Sequence, residues 1–357
     1  MTSPDITSLY EEAVGLLKLL IAAPSFSREE NNTGDLISTF FEKRKIKANR
    51  TINNVWAANK YYDKHKPTIL LNSHHDTVKP NKDYTNDPFK ATEKDGKLYG
   101  LGSNDAGGPL VTLIAAFLYF YDQHDLKYNL LLAATAEEEI SGVNGITALL
   151  PELGNIDCGI VGEPTLMQMA VAEKGLMVVD CFAKGSSGHA AREEGDNAIY
   201  KAIKDIEWLR NYKYLKESPF LGPVKMNTTI INGGTQHNVV PAVCNFTVDI
   251  RINECYTHEE VLGIMKQNMQ SEVVPRSTRL RSTAIVSDHP VVISGIALGL
   301  TSYGSATLSD KALMPFPALK IGPGDSARSH MADEYIYVEE IRKGIEIYTQ
   351  LLKSVLL

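Results

Sequence analysis

Apolar residues along this chain follow two rhythms, and the switch between them divides it. Leu9, Ala13, Leu16, Leu17 and Leu20 recur at helical spacing behind Ser8 and Glu11, which form a capping-box pair, and Pro24 stops the pattern. An amphipathic helix is therefore expected to open the chain. Up to about residue 165, continuous apolar runs (T-I-L-L-N-S, N-L-L-L-A-A-T, C-G-I-V-G) alternate with helical patterns, the longest at 110–121. Such a β-α-β rhythm predicts an α/β fold with a mostly parallel sheet flanked by helices. The order then changes to strand (177–183), helix (197–212), two strands joined through I-N-G-G-T (226–231 and 239–252), a helix capped by Thr257 against Glu260, and a strand. That is the β-α-β-β-α-β order of a ferredoxin-like α+β unit. The first rhythm resumes with a strand at 318–321 and a helix near 338–352. The expected organisation is a discontinuous larger domain, 1–167 with 286–357, and an inserted domain, 168–285.

Composition narrows the function classes. A length of 357 residues suits two domains better than one core, and 43% hydrophobic residues fit globular structure throughout. The 36 Lys and Arg against 43 Asp and Glu leave a net charge of -7 without any basic run, which argues against nucleic acid or an anionic membrane as partner. Cys158, Cys181, Cys244 and Cys255 lack C-x-x-C spacing and mostly lie in strand-like runs, so reduced thiols are expected. The N-terminus has no signal-peptide layout, and the apolar stretch 15–23 carries Lys18 and is too short to span a bilayer. These features predict a cytoplasmic protein.

The candidate chemistry sits where apolar runs end. His74 closes T-I-L-L-N-S, the triplet Glu137, Glu138 and Glu139 follows N-L-L-L-A-A-T, Glu163 follows C-G-I-V-G, Asp105 lies in a Gly-rich loop before a helix, and His330 stands in S-H-M-A-D-E. Open α/β sheets bind ligands at the carboxyl ends of their strands. On a strand His74 and Asp76 share a face and His75 points away, so His74 suits a metal and Asp76 suits the ring's other nitrogen. Three adjacent carboxylates ending an apolar strand call for a compensating cation. Three carboxylates (Asp105, Glu139, Glu163), two divalent ions and a bridging hydroxide make a neutral set, with Asp105 shared and one His and one Glu on each ion. This is the four-coordination that zinc prefers, and a nitrogen and oxygen donor set also accommodates cobalt or manganese. Ser326 in G-P-G-D-S-A-R-S-H offers a rival nucleophile, but no G-x-S-x-G elbow surrounds it. Thr307 to Asp310 and Arg328 are expected to shape the substrate pocket.

Taken as a set, S-H-H-D-T-V, the acidic triplet, G-E-P-T, K-G-S-S-G-H-A-A, G-G-T-Q-H-N-V-V-P, D-I-R and G-P-G-D-S-A-R-S-H-M-A-D-E resemble the dinuclear zinc aminoacylase and exopeptidase family. That family includes acetylornithine deacetylase, succinyl-diaminopimelate desuccinylase and glutamate carboxypeptidase. The resemblance covers essentially the whole chain. It implies a zinc-exopeptidase-like catalytic domain with an inserted dimerisation and lid domain, two Zn2+ per chain, and a homodimer. It further implies that His74 and Glu163 hold one metal, Glu139 and His330 the other, and Asp105 both, with Glu138 as general base and Asp76 as clamp on His74. By the same resemblance His189 reaches the partner subunit's site, and Asn238 and Arg251 contact substrate. Leu101 and Gly107 replace the Arg and Lys that many members carry around the bridging aspartate. The implied activity is removal of an acyl group from the α-nitrogen of an amino acid, N-acetylornithine above others, in arginine biosynthesis. A succinyl-diaminopimelate desuccinylase, a small dipeptidase, and a dimeric binding protein without catalysis are the alternatives.

Overall fold

The computed structural model describes residues 4–192 and 194–357, which form two compact units. The first comprises Met1–Val171, Ala284–Tyr303 and Ser309–Leu357, and the second Ala172–Thr283 and Gly304–Leu308.

The first unit is built on one large sheet. Four parallel strands lie side by side at its centre in the order Asn129–Thr135, Thr68–His74, Cys158–Val161 and Ala318–Lys320. Thr68–His74 is buried along its whole length. Its alternate residues serve two different layers, Ile69 and Leu71 one core and Leu70 the other. This explains the continuous apolar runs, because a strand covered on both faces has no polar side. The helices Ile6–Ile21, Gly108–Phe120 and Val338–Leu356 pack on the Ile69 side, and Ile146–Leu153 lies on the Leu70 side. Twelve residues of Gly108–Phe120 are buried, as befits a helix apolar on every face, and Pro109 stands at its start, where a missing N–H costs nothing.

The connection after Thr68–His74 leads to one neighbouring strand and the connection after Asn129–Thr135 crosses to the other. The sheet's order therefore reverses at His74, the position where open α/β sheets leave a crevice.

The second unit holds four antiparallel strands in the order Lys225–Gly233, Val243–Ile252, Gly175–Lys184 and Glu272–Pro275, with helices Ala198–Asn211 and His258–Asn268. Along Gly175–Lys184 every second residue is buried, and Met177 and Val179 meet Ile250 and Val248 across the pair. One face thus packs on the helices, each fully buried aliphatic side chain contributing about 1.5–3 kcal/mol. Thr257 and Glu260 form the expected capping box.

One local expectation fails. The first helix starts at Ile6, and Asp5, not Ser8, is its N-cap, accepting the Ser8 N–H at 3.4 Å. Ile6 packs on the same core as Leu9, so burial extends the helix beyond the capping pair read from the sequence. All four cysteines are free thiols, three of them buried.

Candidate metal centre

Three of the four parallel strands of the first unit each deliver one part of the site. The Thr68–His74 strand ends on His74 and continues to Asp76, Asn129–Thr135 leads into the acidic triplet, and Cys158–Val161 leads to Glu163. The Asp105 loop lies 3.2 Å away, measured from Asp105 Oδ1 to His74 Nε2. Asp105 Oδ2 faces His330 Nε2 at 3.7 Å, and Glu139 Oε2 approaches the same nitrogen at 3.0 Å. On the other side, Glu163 Oε1 and Glu138 Oε2 stand 3.8 and 3.9 Å from His74 Nε2. One carboxylate thus points its two oxygens at two imidazoles, and each imidazole has a further glutamate beside it. Ligand atoms of His74, Glu138 and Glu163 lie within 4.8 Å of one another, as do those of His74, Asp105 and Glu139.

The triplet divides its labour through backbone geometry. Glu137 has φ 54° and turns its carboxylate back onto its own loop, where it accepts from the Asn144 side chain at 2.8 Å. Gly142 is required there, since a Cβ would fall 1.9 Å from the Glu137 carboxylate. Asp76 holds the other two, accepting the N–H groups of Glu138 and Glu139 at 3.1 and 3.2 Å while its Oδ1 lies 3.4 Å from His74 Nδ1. The same ring nitrogen also faces the Asp76 carbonyl at 3.0 Å. His75 turns away as its strand position predicts, its Nε2–H donating to the Asn53 carbonyl at 3.0 Å, and burial lowers its pKa to about 4. It is a neutral structural side chain.

Charge is concentrated here. Burial opposes a proton on His74, yet hydrogen bonds to Asp105 and Asp76, with the charges of Glu138 and Glu163, hold its pKa well above the usual value. Burial pushes Glu138 well above the carboxylate range, helped by Glu163, Asp310 and Glu139 and opposed by His74. The hydrogen bond to Glu139 raises His330 to about 9. Protons thus balance the carboxylates when no cation is present, and a divalent ion would displace them on binding. The donors are imidazole nitrogen and carboxylate oxygen without thiolate, a set that fits zinc, cobalt or manganese.

Several contributors escaped the sequence. Ser27 donates to Asp76 at 2.7 Å, and buried Glu30 accepts the Glu137 N–H at 3.1 Å. Asp310, also buried, accepts from Asn72 at 2.9 Å and Thr135 at 2.6 Å behind the His74 strand. Glu334 is buried beside the Asp105 loop, and burial followed by the Asp105 charge raises it to about 8. Glu334 closes S-H-M-A-D-E, singled out only for His330, and Asp310 belongs to the 307–310 stretch expected to shape the substrate pocket but is buried against Asn72 and Thr135; nothing flagged Ser27 or Glu30.

The remaining candidates stand elsewhere or are already engaged. Both arms of Arg328 pair with Glu340, at 2.7 and 2.9 Å, and its guanidinium lies over Tyr335 and Tyr337. Its fork, expected to serve the substrate pocket, fastens the last helix instead. Among the described residues no histidine hydrogen-bonds the Ser326 hydroxyl, which leaves that serine without a base. His189, Asn238 and Arg251 belong to the second unit. His189 pairs with Val239 in a two-stranded ribbon whose next N–H, that of Ala190, donates to the Asn238 carbonyl at 3.2 Å. His189 Nδ1 accepts the Ala191 N–H at 3.2 Å, so its ring proton sits on Nε2. Arg251 closes on Asp249 at 2.8 and 3.1 Å.

The sequence model of Peptidase family M20/M25/M40 matches residues 70–354. Acetylornithine deacetylase of Buchnera aphidicola subsp. Schizaphis graminum is 26% identical over 376 residues, covering 98% of each chain. Among solved structures, aminopeptidase PepT from Bacillus cereus superposes with a TM-score of 0.75 at 18% identity, covering 97% of this chain and 98% of that one. The Bacillus subtilis YXEP protein, described as a dinuclear metal binding peptidase from the M20 family, gives a TM-score of 0.71 at 15% identity, with 97% and 98% covered. At these identities the two structures establish the shared fold. No helix among the described residues is long and apolar enough to cross a membrane.

Proposed function

From the premise that this chain belongs to peptidase family M20/M25/M40, we propose that it removes an acyl group from the α-nitrogen of an amino acid, N-acetylornithine foremost, using two metal ions. The chain is a metallohydrolase of that family. The observation that carries the two-metal reading is Asp105, whose Oδ1 and Oδ2 face His74 and His330 at 3.2 and 3.7 Å. The acyl substrate is supported by the named relative, matched over 98% of both chains.

His74 and Glu163 would hold one ion, His330 and Glu139 the other, and Asp105 both. Bound divalent metals lower the pKa of water and polarise a carbonyl. Glu138 receives the proton of the attacking water, a task suited to a carboxyl that burial raises well above the usual carboxylate range, and returns it to the departing amine. Asp76 keeps the His74 ring and the Glu138 backbone in register throughout. His189, whose Nδ1 accepts the Ala191 N–H and leaves Nε2 to carry the ring proton, would donate to the developing oxyanion.

Assays of the zinc-loaded protein on N-acetyl, N-succinyl and N-formyl amino acids and on dipeptides test this reading. N-acetylornithine should give the highest kcat/KM, and chelation should abolish turnover until zinc or cobalt is restored. Highest turnover of a succinylated substrate or a dipeptide would replace the deacetylase assignment, and no turnover of any would favour a binding protein.

The second unit supports a homodimer. Lys225–Gly233 ends its sheet with Ile230 and Ile231 each 50% exposed, a free edge that a second copy could pair with. His189 would then act in the partner's site. His189→Ala should keep both metals and lose turnover, and mixing it with Glu138→Gln should restore up to about one working site per heterodimer. No recovery after demonstrated subunit exchange would rule out action across the dimer.

A further inference from the structure

The segment that carries Asp105 is a distorted helical turn, Ser103–Gly107, in which Asp105 itself departs from helical geometry (φ -123°, ψ 98°). The loop leading into it runs through Gly100 and Gly102 at φ 151° and 73°, positions that leave the backbone free to take many shapes when unfolded. Its shape is imposed from 230 residues away. The buried Glu334 carboxylate accepts three main-chain donors of this loop, Gly102 N–H on Oε2 at 3.0 Å and the Asn104 and Asp105 N–H groups on Oε1 at 2.8 and 2.9 Å. Glu334 also accepts the Gly100 N–H on its main-chain carbonyl at 3.0 Å.

The same loop grips the His330 segment in return. The Asn104 side chain donates to the Asp325 carbonyl at 3.0 Å and to Ser329 Oγ at 3.4 Å, and it accepts the Asp325 N–H at 3.0 Å. Ser329 and Glu334 bracket His330, which has φ 60° and whose carbonyl accepts from Asn81 at 3.2 Å. A non-glycine residue in this region costs on the order of 1–3 kcal/mol and persists only where its surroundings hold it. Asp333 supplies a further anchor, accepting the Thr85 and Asn86 N–H groups at 3.0 and 2.9 Å.

We infer that Asn104 and Glu334 form a reciprocal clamp that sets the separation and orientation of the Asp105 carboxylate and the His330 imidazole before any metal binds. Neither side chain is among the residues read as metal ligands, and both act on Asp105 and His330 through the chain, so both are positioning residues. The inference rests on the reading of Asp105 as the ligand shared by two metals. Its physical basis is that three amide donors on one carboxylate and a three-bond amide bridge fix Asp105, which lies outside helical φ/ψ within the distorted turn Ser103–Gly107, and His330, which lies beyond the short turn Ser326–Arg328. Groups that orient metal ligands typically contribute tenfold to a hundredfold in affinity.

Glu334→Gln tests the first half. A glutamine can offer its oxygen to the Asn104 and Asp105 N–H groups, but its NH2 then faces the Gly102 N–H, so one donor is opposed instead of accepted. Asn104→Ala tests the second half and leaves all three Glu334 bonds to the main chain intact. Zn2+ affinity is measured by competition with a chelating chromophore, and the geometry by the visible spectrum during Co2+ titration. The expected result for both variants is about tenfold to a hundredfold weaker binding of at least one Zn2+, an altered cobalt spectrum, and a lower kcat with KM nearly unchanged. If Glu334→Gln does not fold, Asn104→Ala decides alone. Wild-type zinc affinity and an unchanged cobalt spectrum in a folded variant, even one with a lowered Tm, would reduce the clamp to ordinary structural bonding and overturn the inference. Asp105→Asn in the same titration separates the two readings. If that variant loses metal while the clamp variants keep it, only the clamp is wrong, and if it keeps both metals, the shared-ligand reading falls and the clamp with it.

Discussion

Glu138→Gln should lower kcat by about a hundredfold to ten-thousandfold while metal content and KM stay close to those of the unaltered chain. Glutamine keeps the size of the side chain and cannot accept the water proton. The backbone at residue 138 is held by Asp76, so the substitution leaves the loop in place. The neighbouring residue provides the control. Glu139 lies 3.0 Å from His330 Nε2, whereas Glu138 stands 3.9 Å from His74 Nε2, so Glu139→Gln should weaken one metal before it affects chemistry. Metal analysis beside steady-state kinetics distinguishes the two. Loss of metal from Glu138→Gln with full occupancy in Glu139→Gln would exchange their roles. That exchange is a real physical alternative, because Glu138 lies as near to His74 as Glu163 does.

What the sequence revealed about this site depended on its place in the fold. His74, Glu139 and Glu163 were legible because each follows an apolar run, and strands buried on both faces have no other reason to end in charge. Asp105 and His330 came from the motifs around them. The alternation of side chains on a strand predicts that His75 turns away from His74, and its ring does bond Asn53 while His74 faces Asp105 and Asp76. Glu30 was illegible for the opposite reason: it is a buried carboxylate that accepts the Glu137 N–H from 107 residues away besides its nearer partners Arg28 and Asn53, and no local pattern distinguishes it from a surface acid. Asp310 and Glu334 lay in stretches singled out for the substrate pocket and for His330, but their partners, 175 to 238 residues away, were not legible. Arg328 shows the same limit from the other side. Its charge was visible, but its partner Glu340 is reached only through the turn that starts the last helix. The first helix was misplaced at its start because Ser8 and Glu11 form a valid capping pair, and only the packing of Ile6 decides in favour of Asp5.

Asp105→Asn should have the largest effect of any single substitution, removing activity together with the metals. Among the described residues Asp105 is the one carboxylate whose two oxygens face both His74 and His330, and an amide replaces one lone-pair donor by an NH2 group that cannot bind a cation. It also removes one of the negative charges that two divalent ions would neutralise. The loss should therefore exceed the roughly ten- to hundredfold that an outer partner of a ligand costs. The loop itself should survive, since Glu334 holds the residue through its backbone N–H at 2.9 Å. The measurement is the dependence of Tm on added Zn2+. A ligand that binds only the folded chain raises stability by RT ln(1 + [L]/Kd), about 2.7 kcal/mol at a hundredfold excess over Kd. The unaltered chain should show that rise and Asp105→Asn should lose most of it, with the metal-free Tm of the two proteins similar. A variant that retains two metals per chain, the zinc-dependent rise and full turnover would show that Asp105 bridges nothing.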